Sequence, residues 1–408
     1  MKNAYDTNDP KKLLDLKRLE AAALLDVLRT INHYERNIPQ LCTIAKNVLR
    51  AQLGVKKMGF FYETGEVWVQ GIHLGFPPFG EEMMEEMLVL TKTTRIRKKN
   101  QPCLFELGVE YVIPIINRGM SKVFFCVADF ADSEVETEND LIFIETLGNI
   151  LSVAITNKQL FQEKIQQEFL RKELEVAETI QKQLLISDFS RFREIDVFGM
   201  NIAHHGVGGD FYDVIKKGRG NTIICIADVS GKGIGAALLM SNLQANLRAL
   251  SAQYDDLASI IRDLNKILYD ITTGEKFVTL FIAKINASNK TITYINAGHN
   301  YPVFFSGEEV HRLESGCTIL GIIPSFEIQE SELTFSSGDI LFTFTDGVVE
   351  QSNAAGDMFG SERLIDKLKG IRDKNARDMV QLVEEELAGF AGSEDATDDV
   401  TMLSVKFL

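Results

Sequence analysis

Cysteine is scarce in this sequence and does not pair. The 408 residues hold five (Cys42, Cys103, Cys126, Cys225 and Cys317), and no two stand in a C-x-x-C spacing. An odd set scattered through apolar runs such as "KVFFCVADF" and "TIICIADV" argues against a disulfide framework or a cysteine zinc site and fits a reducing compartment. Basic charge is also short. The 43 Lys and Arg against 58 Asp and Glu leave a net −15, which removes the basic footprint of a nucleic-acid binder. No uninterrupted apolar run approaches the roughly 18 residues of a membrane-crossing helix. The opening "MKNAYDTNDPKK" has no apolar core of the kind a signal peptide carries. A cytoplasmic protein without a membrane partner is expected. What is abundant is hydrophobic residues, 45% of the chain, enough to bury the cores of two or three domains.

Residues 1–27 read as an N-terminal helix, from the leucine spacing that begins at Leu13. Residues 28–157 alternate differently. Helical segments flank short runs with β character: "MGFFYE", "EVWVQGI", "EYVIPII" and "KVFFCVADF". That order predicts an α+β domain. Over residues 158–187 glycine and proline vanish and charge rises, while Ile165, Phe169, Val176, Ile180 and Leu184 recur at four- and seven-residue steps. This predicts a helical connector of coiled-coil type that pairs two chains, or a single amphipathic helix lying on its own domain. Residues 188–408 form a second domain rich in strands, among them "NTIICIADVSG", "FVTLFIAKINA", "KTITYINAG", "DILFTFTDG" and "DDVTMLSVKF". Two helical patterns, "IGAALLMSNLQANLRALSA" and "LASIIRDLNKILYDIT", interrupt them.

Acidic residues fall where those strands end. Asp228 closes "IICIAD", Asp346 closes "ILFTFTD", and Asp398 and Asp399 open "DDVTMLSV". Asp210 follows the double glycine of "HGVGGDFYDV", and glycine permits backbone approaches closed to other residues. Each acid alone reads as a solvated strand end. Gathered at a sheet edge they would repel one another and raise one another's pKa unless a cation compensates. An all-oxygen donor set suits magnesium or manganese, whereas zinc would want histidine or cysteine. Two such ions can activate a water and polarise a phosphoryl oxygen, which is the chemistry of phosphate-ester hydrolysis.

Six motifs, "VGGDFYD", "IADVSGKGIGAALLMS", "FVTLFIAKIN", "NAGHNYP", "FTFTDGVVEQSN" and "DDVTM", occur in the order found in PPM-type serine/threonine phosphatases. The chain resembles their bacterial sporulation stage II protein E branch over residues 188–408. That resemblance implies a PPM-type α/β/β/α sandwich and a centre of two Mn2+ or Mg2+ ions. The ions would be held by Asp210, Asp228, Asp346 and Asp398 and by the Val229 carbonyl, with Asp399 in support. It further implies a phosphorylated anti-anti-sigma protein of STAS type as substrate, in partner-switching signalling. No arginine stands at a phosphate-clamping place in the first strands. Lys232 reads either as a solvated lysine or as a group near the substrate phosphate. His299 reads as a loop histidine, and the helix after Asp228 as either a plain helix start or a regulatory element.

Residues 28–157 resemble a GAF domain in their pattern of helices and strands, which implies a sensor with a possible small-molecule ligand and a homodimer joined through the connector. Cys103 and Cys126 read as core residues, and the basic run "KTTRIRKKN" as a solvated hairpin or loop. Two other readings compete. "GGDFYD" shares its first three residues with the GGDEF signature of diguanylate cyclases, but Phe211 stands where that chemistry needs glutamate. A catalytically silent signalling scaffold that binds a phosphoprotein would keep the fold without turnover.

Overall fold

The computed structural model describes residue 21 and residues 38–65, 67–116, 122–129, 134–204, 206–218, 220–392 and 398–408. The N-terminal helix expected over residues 1–27 lies, apart from Ala21, outside the described residues. The chain divides into two compact units, one up to Phe169 and one from Leu170. That division falls inside the expected connector rather than at either of its ends.

The first unit is built on a five-stranded antiparallel sheet in the order β2-β1-β5-β4-β3. Its strands are β1 (Lys57–Thr64), β2 (Val67–Leu74), β3 (Thr94–Arg95), β4 (Tyr111–Ile115) and β5 (Val123–Ala128). Side chains alternate between sheet faces along a strand. Phe60, Phe125 and Val127 therefore join one core with Leu41, Ala45 and Leu49 of helix α1 (Ile38–Leu53). Phe61, Phe124 and Cys126 join another on the opposite face, with Met87 and Leu104. Those two residues come from helices α2 (Glu81–Leu88) and α3 (Pro102–Glu106), neither of which the sequence pattern revealed. The basic run at Lys92 holds the two-residue strand β3, an edge strand paired only with β4. Cys126 is buried and Cys103 half-buried.

Helix α4 (Glu134–Leu184) begins in this unit. Phe143, Ile144, Leu147, Leu151 and Ile155 pack its first half into the α1 core. By length and composition alone, this helix could cross a membrane. Its apolar first half packs into a protein core. Farther along, Phe161, Ile165, Phe169, Val176 and Ile180 are all exposed.

In the second unit, strands β6 (Ile195–Ile202), β11 (Val303–Ser306), β12 (Glu309–Arg312), β15 (Ile340–Phe344) and β16 (Val400–Phe407) form one sheet, in the order β12-β11-β15-β16-β6. Strands β7 (Phe211–Lys217), β8 (Asn221–Val229), β9 (Val278–Asn286), β10 (Thr291–Ala297), β13 (Gly316–Cys317) and β14 (Ser331–Thr334) form the other, in the order β13-β10-β9-β8-β7, with β14 also on β10. Alternation along the strands dictates the layers. Tyr212, Val214, Ile224 and Ile226 meet Val197, Leu341, Leu403 and Val405 between the sheets. The opposite face of β7 and β8, with Phe211, Ile223, Cys225 and Ala227, packs under helices α5 (Ile234–Gln253) and α6 (Leu257–Thr272). Likewise Phe305, Phe342 and Met402 pack under helices α8 (Ser361–Gly370) and α9 (Ala376–Ala391), which follow the single-turn helix α7 (Asp346–Val349). The result is a four-layer α/β/β/α sandwich, the architecture the motifs implied.

Candidate active site

The acidic residues collect at one end of this sandwich because paired strands bring them there. Phe211 pairs with Ala227, so Asp210, just before β7, lies beside Asp228 near the end of β8. In the other sheet Phe344 pairs with Met402, which brings Asp346, just past β15, alongside Asp398 and Asp399 ahead of β16. The Thr345 hydroxyl ties the two sheets together by donating to Asp210 Oδ2 at 2.7 Å.

The double glycine makes the close approach possible. A Cβ on Gly209 would stand 2.6 Å from the Val229 carbonyl oxygen, and one on Gly208 would strike the Asp399 carboxylate. Both oxygens of Asp399 are committed to this loop, accepting from His204 N and Gly209 N at 2.9 Å each. Asp399 thus fixes the loop that delivers Asp210. Gly347 is pressed as closely against the Asp399 backbone, where a methyl group would not fit.

Gln181, on the last turn of α4, is not legible as a site residue. Its amide donates to Gly208 O at 2.7 Å and accepts from Gly208 N at 3.1 Å. Nearby, Gln244 of α5 donates to Leu184 O at 2.6 Å. The end of α4 therefore holds both the glycine loop and the helix that follows Asp228. Nothing in the spacing of a glutamine-rich helix singles out the one amide that is buried.

Charge is strongly unbalanced here. Burial and then the Asp228 carboxylate push Asp210 well above the ordinary carboxylate range. Burial, followed by Asp346, Asp398 and Asp399, lifts Asp228 to about 7. Asp346 is raised by burial and by Asp398, and Glu350 by burial and by Asp346. The basic side chain that pulls Asp228 and Asp346 back down is Lys232, whose Nζ lies 2.9 Å from Asp398 Oδ2. Among the described residues, no three His, Cys, Asp or Glu side chains close to the spacing of a ready cation cage. The acids lie within electrostatic reach of one another, all hard oxygen donors and short of positive charge, and that donor set fits a hard divalent cation.

Asp213, the second carboxylate of "GGDFYD", takes no part. By strand alternation it faces α5, where Arg248 donates to Oδ2 from Nε at 2.6 Å and to Oδ1 from Nη2 at 3.1 Å. His299 is buried, its Nδ1 2.9 Å from the Thr279 hydroxyl, and desolvation depresses its pKa to about 4. It is neutral at physiological pH. A cavity of about 330 Å3 lies beside it, lined by Tyr301, Arg312, Phe344 and Ser361 but by none of the five acids.

A two-sheet sandwich flanked by helices, with acids at the sheet ends, defines the C-terminal unit as a PPM-type (PP2C) phosphatase fold. Residues 218–408 match the family described as Stage II sporulation protein E (SpoIIE), and this unit is similar to the SpoIIE/RsbU-type phosphatases of the PPM family. Among curated relatives, the chain is 28% identical over 277 residues to Protein IcfG of Synechocystis sp., which covers 61% of this chain and 43% of that protein. It is 28% identical over 212 residues to Phosphoserine phosphatase RsbU of Bacillus subtilis, or 50% of this chain and 63% of the relative. The chain thus spans less than two thirds of either relative. The SiaA-PP2C domain of Pseudomonas aeruginosa superposes with a TM-score of 0.51 at 22% identity, covering 59% of this chain and 98% of that domain. That likeness is one of fold.

Proposed function

We propose that the chain is a Mn2+- or Mg2+-dependent phosphoserine/phosphothreonine protein phosphatase with two ions at its active site. One observation carries this reading: a buried carboxylate, Asp210, and partly buried ones from both sheets that repel one another, brought to one end of a PPM-type sandwich. The similarity to Phosphoserine phosphatase RsbU supports it. Asp210, Asp228, Asp346, Asp398 and the Val229 carbonyl would hold the ions. Bound there, the ions supply Lewis acidity to the phosphoryl group and an activated water. The chain's own contribution is orientation. Asp399 and Gln181 brace the glycine loop, and Thr345 fixes the Asp210 carboxylate with its hydroxyl.

The first unit we read as a GAF-like sensor, open to a small-molecule ligand, that regulates this site through α4. The contacts of Gln181 with Gly208 and of Gln244 with Leu184 support the path, since both end on parts that carry acids. The exposed row of Phe161, Ile165, Phe169, Val176 and Ile180 suits a second copy of the same helix, giving a homodimer. The substrate in this reading is a phosphorylated STAS-type anti-anti-sigma protein in the cytoplasm.

The test is hydrolysis of p-nitrophenyl phosphate by the full chain with and without Mn2+. Turnover should require the ion and fall at least a hundredfold in Asp228→Asn. Equal activity in the variant would remove the metal assignment. Absence of both turnover and Mn2+ binding would favour the silent scaffold.

A further inference from the structure

Lys232 stands between Gly231 (φ 94°) and Gly233 (φ 75°), four residues after Asp228 and two before the start of α5. Positive φ at both flanks is conformation that glycine adopts without strain, so the two glycines let the chain turn tightly around the lysine. Its ammonium contacts Asp398 at 2.9 Å, and both side chains are about half exposed. The same charge acts on Asp228, Asp346 and Asp399. A lysine ammonium is a compact point charge on a flexible stem, without the fixed fork that commits arginine to one carboxylate.

Resting on the reading of these acids as a cation site, we propose that Lys232 is a built-in counter-ion that competes with the divalent cation for Asp398. Lysine and cation are drawn to the same carboxylate and repel each other, so cation entry weakens the ammonium contact and the ammonium weakens cation binding.

Calorimetric titration of the full chain with Mn2+ tests this without reference to turnover. Lys232→Gln should bind Mn2+ roughly threefold to tenfold more tightly than the unaltered chain, since it loses a competing charge in a half-exposed setting. Lys232→Arg, which keeps the charge, should stay near the original affinity. A melting-temperature series supplies a second reading. Lys232→Gln should melt lower than the unaltered chain when no ion is added at pH 8, yet gain more from Mn2+. Unchanged or weaker Mn2+ binding in Lys232→Gln overturns the proposal while leaving the cation site intact. No binding by either chain overturns both.

Discussion

Asp210 and Asp213 lie three residues apart and meet opposite fates. Asp210 precedes β7 and is set among other acids, whereas Asp213 points from β7 to α5 and is neutralised by Arg248. Removing one partner of a buried ion pair strands the other charge, at a cost of about 3–5 kcal/mol. Arg248 is itself nearly half exposed, which places the loss at the lower end of that range. Arg248→Met should therefore lower stability by about 3 kcal/mol in urea unfolding. The double variant Asp213→Asn/Arg248→Met should recover part of it. A pair worth no more than an ordinary surface bridge would show less than about 1 kcal/mol.

Asp228 gives the pH dependence its sign. In the folded chain its carboxyl holds its proton up to about 7, while the unfolded carboxyl releases it near 4. The contribution is complete below pH 4 and is lost as pH rises to 7, because between those values the folded state binds more protons. Melting temperature measured in EDTA should thus fall between pH 4 and 7. Added Mn2+ should restore it, with a larger gain at pH 8 than at pH 5. A gain independent of pH would separate the cation from these carboxylates.

At the scale of elements, the glycine loop and the strand ends matter most. Gly209→Ala places a methyl group 2.6 Å from a carbonyl held within the β8–β9 pairing. That neighbour cannot turn aside. The expected cost is about 1–3 kcal/mol, together with weaker Mn2+ binding, read by thermal melting and calorimetry. Much of this was legible. Asp228 and Asp346 stand where an apolar run stops, Asp398 and Asp399 where one begins, and Asp210 after a double glycine, and β-branched strands with tight turns indicate which ends lie together. Strand β7 was not picked out, because "FYDVIKK" shows no clean alternation until Arg248 explains its buried acid. Helices α8 and α9 are also hard to read, although Leu364, Ile365 and Leu368 and then Met379, Val380 and Val383 carry helical spacing. Their charged outer faces thin the apolar signal. Gln181 was invisible, since its role depends on a loop 27 residues away.

At the scale of the whole molecule, α4 is a single helix of 51 residues that belongs to both units. Its apolar row past Leu160 is covered by nothing described within the chain. Paired through that row, full-length protein should sediment as a dimer. Replacing Ile165, Phe169 and Val176 with glutamate should yield monomers with folding unchanged, since these residues lie outside every core. Dimerisation that survives this change would place the interface elsewhere.

The most direct measurement is Mn2+ binding to the full chain by calorimetry at pH 6 and pH 8, in buffers of differing ionisation heat. If Asp210, Asp228, Asp346 and Asp398 share a cation, binding should release protons at pH 6 and tighten towards pH 8. It should weaken at least tenfold in Asp228→Asn. Identical affinity in Asp228→Asn, with no proton released at either pH, would contradict the account.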